Sequence, residues 1–302
     1  MMTDYFSDRE RGSRPRTAEV IDAVTWEALF AVIHARIDNG SFGYGFPATC
    51  PDGNALCGTN EVAFWRVARA EIPQLVEGDF GPWWPPRADK SPPTLAILDF
   101  LEFTARAVGA PTRGNWHDYQ RHYHLTLDRE AGLRLFVDDV NRVLARSGVA
   151  FELTPQGRVR RLLPEPIAQV LREVLFRTGD GEADALLEKA RIFIASPNID
   201  VRRDALEKLW DAFERIKTLE PGANKGAQAA ALLTRATAHV GPRFGQLIGD
   251  EAKRLTEAGN EFRIRHAETD KEIVSQSAQI DYLFVRMFAF LRYVLSSTDR
   301  GG

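Results

Sequence analysis

The stretch AKRLTEAGNEFRIRHAETDK, residues 252–271, holds the chain's most chemically suggestive spacing. On a helix running through His266, the side chains of Leu255, Gly259, Phe262 and His266 fall on one face, and Arg263 and Arg265 flank that stripe. Burial and like charge both disfavour the protonated form of such a histidine. It suits a base, or a donor to a phosphate oxygen, at neutral pH. A neighbouring arginine can grip a phosphate through two parallel N–H groups. A buried histidine with satisfied hydrogen bonds is the commoner arrangement, so spacing alone leaves the role of His266 open.

Two other groups of polar residues compete with it. Glu207, Asp211, Glu214 and Thr218 share one face of a further helix, with Lys217 beside them, and a solvated face is the default for such a row. Trp116, His117, Tyr119, His122, Tyr123 and His124 crowd a second segment. Its H-x4-H-x-H spacing matches no recurrent zinc pattern, and Cys50 and Cys57 stand wider apart than the usual C-x2–4-C clip. The expectation is therefore no metal, no cofactor and ordinary packing, with aromatic and cationic side chains able to stack on nucleobases. Asp22, Asp99, Asp138 and Asp139 make no carboxylate pair. Gly43 and Gly45 lie in G-Y-G-F-P, which is not a phosphate loop. G-x-S-x-G, Walker and Rossmann fingerprints are absent.

The elements that must position these groups are mostly helical. The 302 residues are 44% hydrophobic and 27% charged, a globular balance with room for one large or two ordinary domains. A net charge of −3 excludes a generally basic coat, so nucleic acid would need a local basic cleft. Two cysteines argue for a reducing compartment. The N-terminal stretch lacks the apolar core of a secretory signal, and the longest apolar run, Tyr282–Leu295, is interrupted by Arg286 and Arg292 and too short to span a bilayer. A cytoplasmic protein away from membranes is expected.

Apolar periodicity predicts helices over Thr17–Ile37, Asn60–Arg69, Thr94–Val108 and Glu130–Arg146, with loops at Gly40–Gly58 and around Trp83–Trp84. Alternation on either side of Thr154–Gly157 predicts a hairpin at 149–162, the seam between a domain at 1–163 and another at 164–302. Beyond it, helices are expected from Ile167, at Asp184–Ala195, from a cap at Asp200, and at Ala227–His239, Pro242–His266 and Ala278–Ser296. The last is apolar nearly all round and should be buried in the bundle or a dimer.

The string GNEFRIRHAETDK followed by QIDYLFVRMFAFLRYVL resembles the C-terminal part of bacterial AbiJ-like abortive-infection proteins, which carry a HEPN-type helical bundle. RDALEKLWDAFERIKTLEP resembles the first bundle helices. FSDRERG and WHDYQRHYHLTLD…FVDDVNRVLARSGVAFELTPQGRVRRL resemble the helical N-terminal domain fused to them. The fold class implied is mainly α: a helical N-terminal domain, a small β-hairpin and a C-terminal HEPN-like bundle. The activity implied is metal-independent RNA cleavage in anti-phage defence, by a homodimer answering a phage-derived trigger or regulatory protein. His266 matches the histidine of the family's Arg-x4–6-His motif, and Asn260 matches the polar residue after its Arg. Gly259 stands where that Arg belongs, and Arg263, Arg265 and Arg254 miss the spacing. Either an arginine close in space substitutes, or the bundle is a silent dimerisation, nucleotide- or RNA-binding module of a defence or toxin–antitoxin system. The resemblance also suggests that Glu214 orients His266. A transcription-type regulator has no helix-turn-helix pattern to support it.

Overall fold

The computed structural model describes residues 5–77, 91–163, 168, 171, 176–262, 264, 271–298 and 300. The chain divides into two compact units, Met1–Leu162 and Leu163–Gly302. It is mainly helical, and among the described residues its only sheets are three two-stranded antiparallel pairs, all in the first unit. The Trp83–Trp84 segment, most of the helix expected from Ile167, and Arg263, Arg265 and His266 lie outside the described residues.

In the first unit, α1 (Phe6–Arg11) precedes an extended segment, and α2 spans Ala23–Asp38. The helix expected from Thr17 begins six residues later for two reasons. Ala18 forms a parallel bridge with Val149, and the Asp22 carboxylate caps α2 by accepting from the Thr25 N–H at 2.8 Å. The expected loop at 40–58 is instead a 3-10 turn (Ser41–Tyr44) and a hairpin, β1 (Pro47–Thr49) with β2 (Leu56–Thr59). Asn60 then caps α3 (Glu61–Glu71). The helix α4 (Thr94–Ala107) buries most of its length.

A strand pair that the periodicity did not predict follows: β3 (Ala110–His117) and β4 (His122–Asp128). Asp128 caps α5 (Arg129–Arg146), and β5 (Phe151–Leu153) pairs with β6 (Val159–Arg161) inside the expected 149–162 window. The Asn141 amide closes β5 by donating to Leu153 O and accepting from Leu153 N, both at 2.8 Å. Phe64 centres the core, with the rings of Phe42, Phe46, Trp65, Phe100 and Phe103 within 5.0–6.1 Å. Gly132 lets α5 approach the start of β3 so closely that a Cβ there would stand 2.4 Å from Gly109 and Ala110 backbone atoms.

The second unit contains α6 (Gly181–Phe193), α7 (Ile199–Thr218), α8 (Lys225–Ala236), α9 (Pro242–Glu261) and α10 (Ser277–Ser297), with no strand among its described residues. Asn198 caps α7, and Asp200 sits in its first turn rather than at the cap. Asp180 caps α6 and also grips Arg215 of α7 at 2.8 Å. The helix α10 packs against α7 and α8 and buries Ile280, Phe284, Met287, Leu291 and Val294. Tyr282 and Val285 face outward.

Candidate functional site

In the second unit, α9 ends at Glu261 with Phe262 as its C-cap, so the helical stripe that begins at Leu255 does not continue to His266. Gly259 is buried and Asn260 exposed. The Trp210 indole N–H donates to Leu255 O at 2.9 Å. A cleft of roughly 290 Å³ is lined by Phe213 and Lys217 on α7 and by Gly249, Ala252, Lys253 and Thr256 on α9. Numbering therefore rises along α7 as it falls along α9, and Glu214 and Asn260 lie on opposite sides of the Trp210–Leu255 contact. Glu214 pairs with Lys217 at 2.5 Å and lines a shallow polar cleft with Asp211, Arg215 and Lys225.

The opposite end of α7 carries cations. The Arg202 guanidinium donates to Ser277 Oγ at 2.7 Å and that of Arg203 to Val274 O at 2.9 Å. These contacts hold the far end of the connection from α9 to α10, whose sequence contains Arg263, Arg265 and His266.

The first unit gathers a second group. In the β3–β4 register His117 faces His122 directly, and His124, two residues further along β4, lies on the same side of the strand. The three imidazole rings are 5.5, 5.6 and 5.7 Å apart. Cys50, just after β1, is fixed by its N–H bond to Ala55 O and is 4% exposed. Its Sγ lies 3.7 Å from His117 Nδ1. One ligand atom from each of Cys50, His117, His122 and His124 falls within 4.8 Å of all the others. The Nε2 atoms of His122 and His124 are buried and have no hydrogen-bond partner among the described residues. The other ring nitrogen of His117, Nε2, faces Asp52 at 3.6 Å, and Gln120 donates to the same carboxylate at 3.3 Å. Cys57 stands apart: its Sγ donates to Ala48 O, and burial, with Cys50 nearby, pushes its thiol up.

The strand pairing brings these four side chains together, which their linear spacing did not suggest. The four side chains come from three segments, so no linear metal pattern exists. The usable signal was H-x-H read as a strand, which puts both rings on one face. On the opposite face Trp116 and Tyr123 rings meet at 4.8 Å, and Arg113 lies over Tyr123 at 5.0 Å.

No family model, curated protein or solved structure matches the chain. Among the described residues no helix is long and apolar enough to cross a membrane.

Proposed function

We propose that the chain is an RNA-cutting defence protein in which the helical second unit acts and the first unit regulates. The observation that carries this reading is the pair Arg202 and Arg203 at the α9–α10 connection, the stretch whose sequence supplies Arg263, Arg265 and His266. Gly259 stands where the family's arginine belongs, and in this reading Arg203, held on Val274 O at the far end of that connection, supplies the missing positive charge. In the proposed reaction the ribose 2′-hydroxyl attacks the adjacent phosphate, His266 accepts its proton, and an arginine stabilises the charge that builds on the phosphate oxygens. The P–O5′ bond breaks to leave a 2′,3′-cyclic phosphate and a 5′-hydroxyl that takes a proton from water or from the protonated His266. A homodimer would bring two such sets together.

The experiment is induction of wild type, His266→Ala and Arg203→Ala in bacteria, with growth and RNA integrity compared. Wild type should arrest growth and fragment RNA, His266→Ala should do neither, and Arg203→Ala should be strongly weakened. Fragmentation by His266→Ala at the wild-type rate refutes the site. Light scattering that finds only monomer at micromolar concentration refutes the dimer. A second reading, a silent dimerisation or RNA-binding module, is favoured by the buried Gly259 on α9, which stands where the family's arginine belongs. It predicts RNA retention without cleavage.

A further inference from the structure

We infer that Cys50, His117, His122 and His124 bind one zinc ion. The donor set is the first argument: one thiolate and three imidazoles are ligands of borderline softness, which suit Zn2+ and not Mg2+ or Ca2+. Geometry is the second. Zn–S and Zn–N bonds of roughly 2.3 and 2.05 Å place ligand atoms at about 3.4–3.6 Å along the edges of a tetrahedron. The Cys50–His117 edge is 3.7 Å, and all four atoms lie within 4.8 Å, so contraction of an edge by at most about 1.4 Å closes the shell. Satisfaction of buried nitrogens is the third. The Nε2 atoms of His122 and His124 are buried without a partner, a costly arrangement that a metal bond removes.

The surroundings agree. Asp52 faces Nε2 of His117, the nitrogen turned away from the cluster, as outer carboxylates orient metal-bound imidazoles. Gln120 holds that carboxylate in turn. A thiolate and Asp52 together balance the charge of the ion. Four protein ligands fill a tetrahedron and leave no position for a reacting water, so the ion is structural. It clasps the turn after β1 to the ends of β3 and β4. This site is independent of the RNA reading of the second unit.

The test uses the full chain, purified without a polyhistidine tag. Elemental analysis should find one zinc per chain, and a strong chelator should remove it and lower the melting temperature until zinc is returned. Cobalt(II) added to the stripped wild type should give intense tetrahedral d–d bands and a sulfur-to-cobalt charge-transfer band. Cys57→Ser should keep that band, Cys50→Ser should lose it, and His122→Ala or His124→Ala should weaken zinc binding at least tenfold. The inference is overturned by zinc below about a tenth of an ion per chain after growth with added zinc. It is also overturned by an octahedral cobalt spectrum without the sulfur band, by loss of that band in Cys57→Ser, or by stoichiometric retention of a different metal. The wild-type cobalt spectrum and Cys57→Ser decide the matter even if the ligand variants fail to fold.

Discussion

Gly132 offers a sharp test of how the first unit is assembled. Alanine there favours the helix by about 1 kcal/mol through backbone entropy. Its methyl group, however, would sit 2.4 Å from Gly109 Cα, Gly109 C and Ala110 N, where ordinary contact needs roughly 3.4–4 Å. Those neighbours are backbone, so relief requires α5 and the start of β3 to part by about an ångström. Overpacking of this kind costs about 1–3 kcal/mol, and a rigid neighbour on that side puts Gly132 at the upper end. The net loss is then about 2 kcal/mol, a fall of roughly 4–8 °C in melting temperature for a unit of this size. Gly249 on α9 supplies the control, because a Cβ there meets nothing within 4 Å. Gly249→Ala should stabilise its own unit by about 0.5–1 kcal/mol. Thermal and urea melts followed by circular dichroism and tryptophan fluorescence give both numbers. A Gly132→Ala protein as stable as wild type, or more so, refutes the close approach of α5 to β3.

Asp180 is held down to about 2, first by its hydrogen bond from Arg215 and then by the Ala183 N–H. A depressed carboxylate contributes stability above its unfolded value and loses it as pH falls, so the second unit should weaken between about 4 and 2. Asp180→Asn should flatten that part of the stability–pH curve, and an unchanged slope counts against the pair. Arg121, at φ 53°, is the single non-glycine described residue in the left-handed region, at the β3–β4 turn. Arg121→Gly should therefore raise stability by about 1 kcal/mol in the same melts, and a drop shows that the arginine side chain matters more than the strain. Asn141→Ala should cost about 2–3 kcal/mol in the same melts by leaving the N–H and C=O of Leu153 unpaired, and a loss below about 0.5 kcal/mol counts against that closure of β5.

Helices were readable wherever one buried face was continuous. The α3, α4, α5 and α10 bounds differ from those expected by only a few residues, because Asn60 and Asp128 cap in the usual manner and the apolar stripes are long. The β5–β6 pair showed in alternation around a Thr-Pro-Gln-Gly turn. Both β1–β2 and β3–β4 were missed. Leu56 to Thr59 is too short to display a period, and β3 contains Pro111, Gly114 and Asn115, with a register shift between Arg113 and Trp116 that breaks alternation. The Cys/His gathering depends on that pairing, so it stayed hidden with the strands. The arginines at the N-terminal end of α7 were likewise invisible, since only packing brings residues 202–203 to 274–277.

The bridge between Ala18 and Val149 also bears on the order of events during synthesis. Arg16 reaches the carbonyls of Val149 and Phe151, and Ala18 exchanges backbone bonds with Gly148 and Ala150. The first residues of the unit to leave the ribosome thus find their partners among the last, some 130 positions later. Until then Arg16 and Ala18 lack these partners, while α2, α3 and α4 can already bury their aromatic rings together. A nascent chain stalled before residue 148 should leave 12–20 open to protease, and release past 162 should close it.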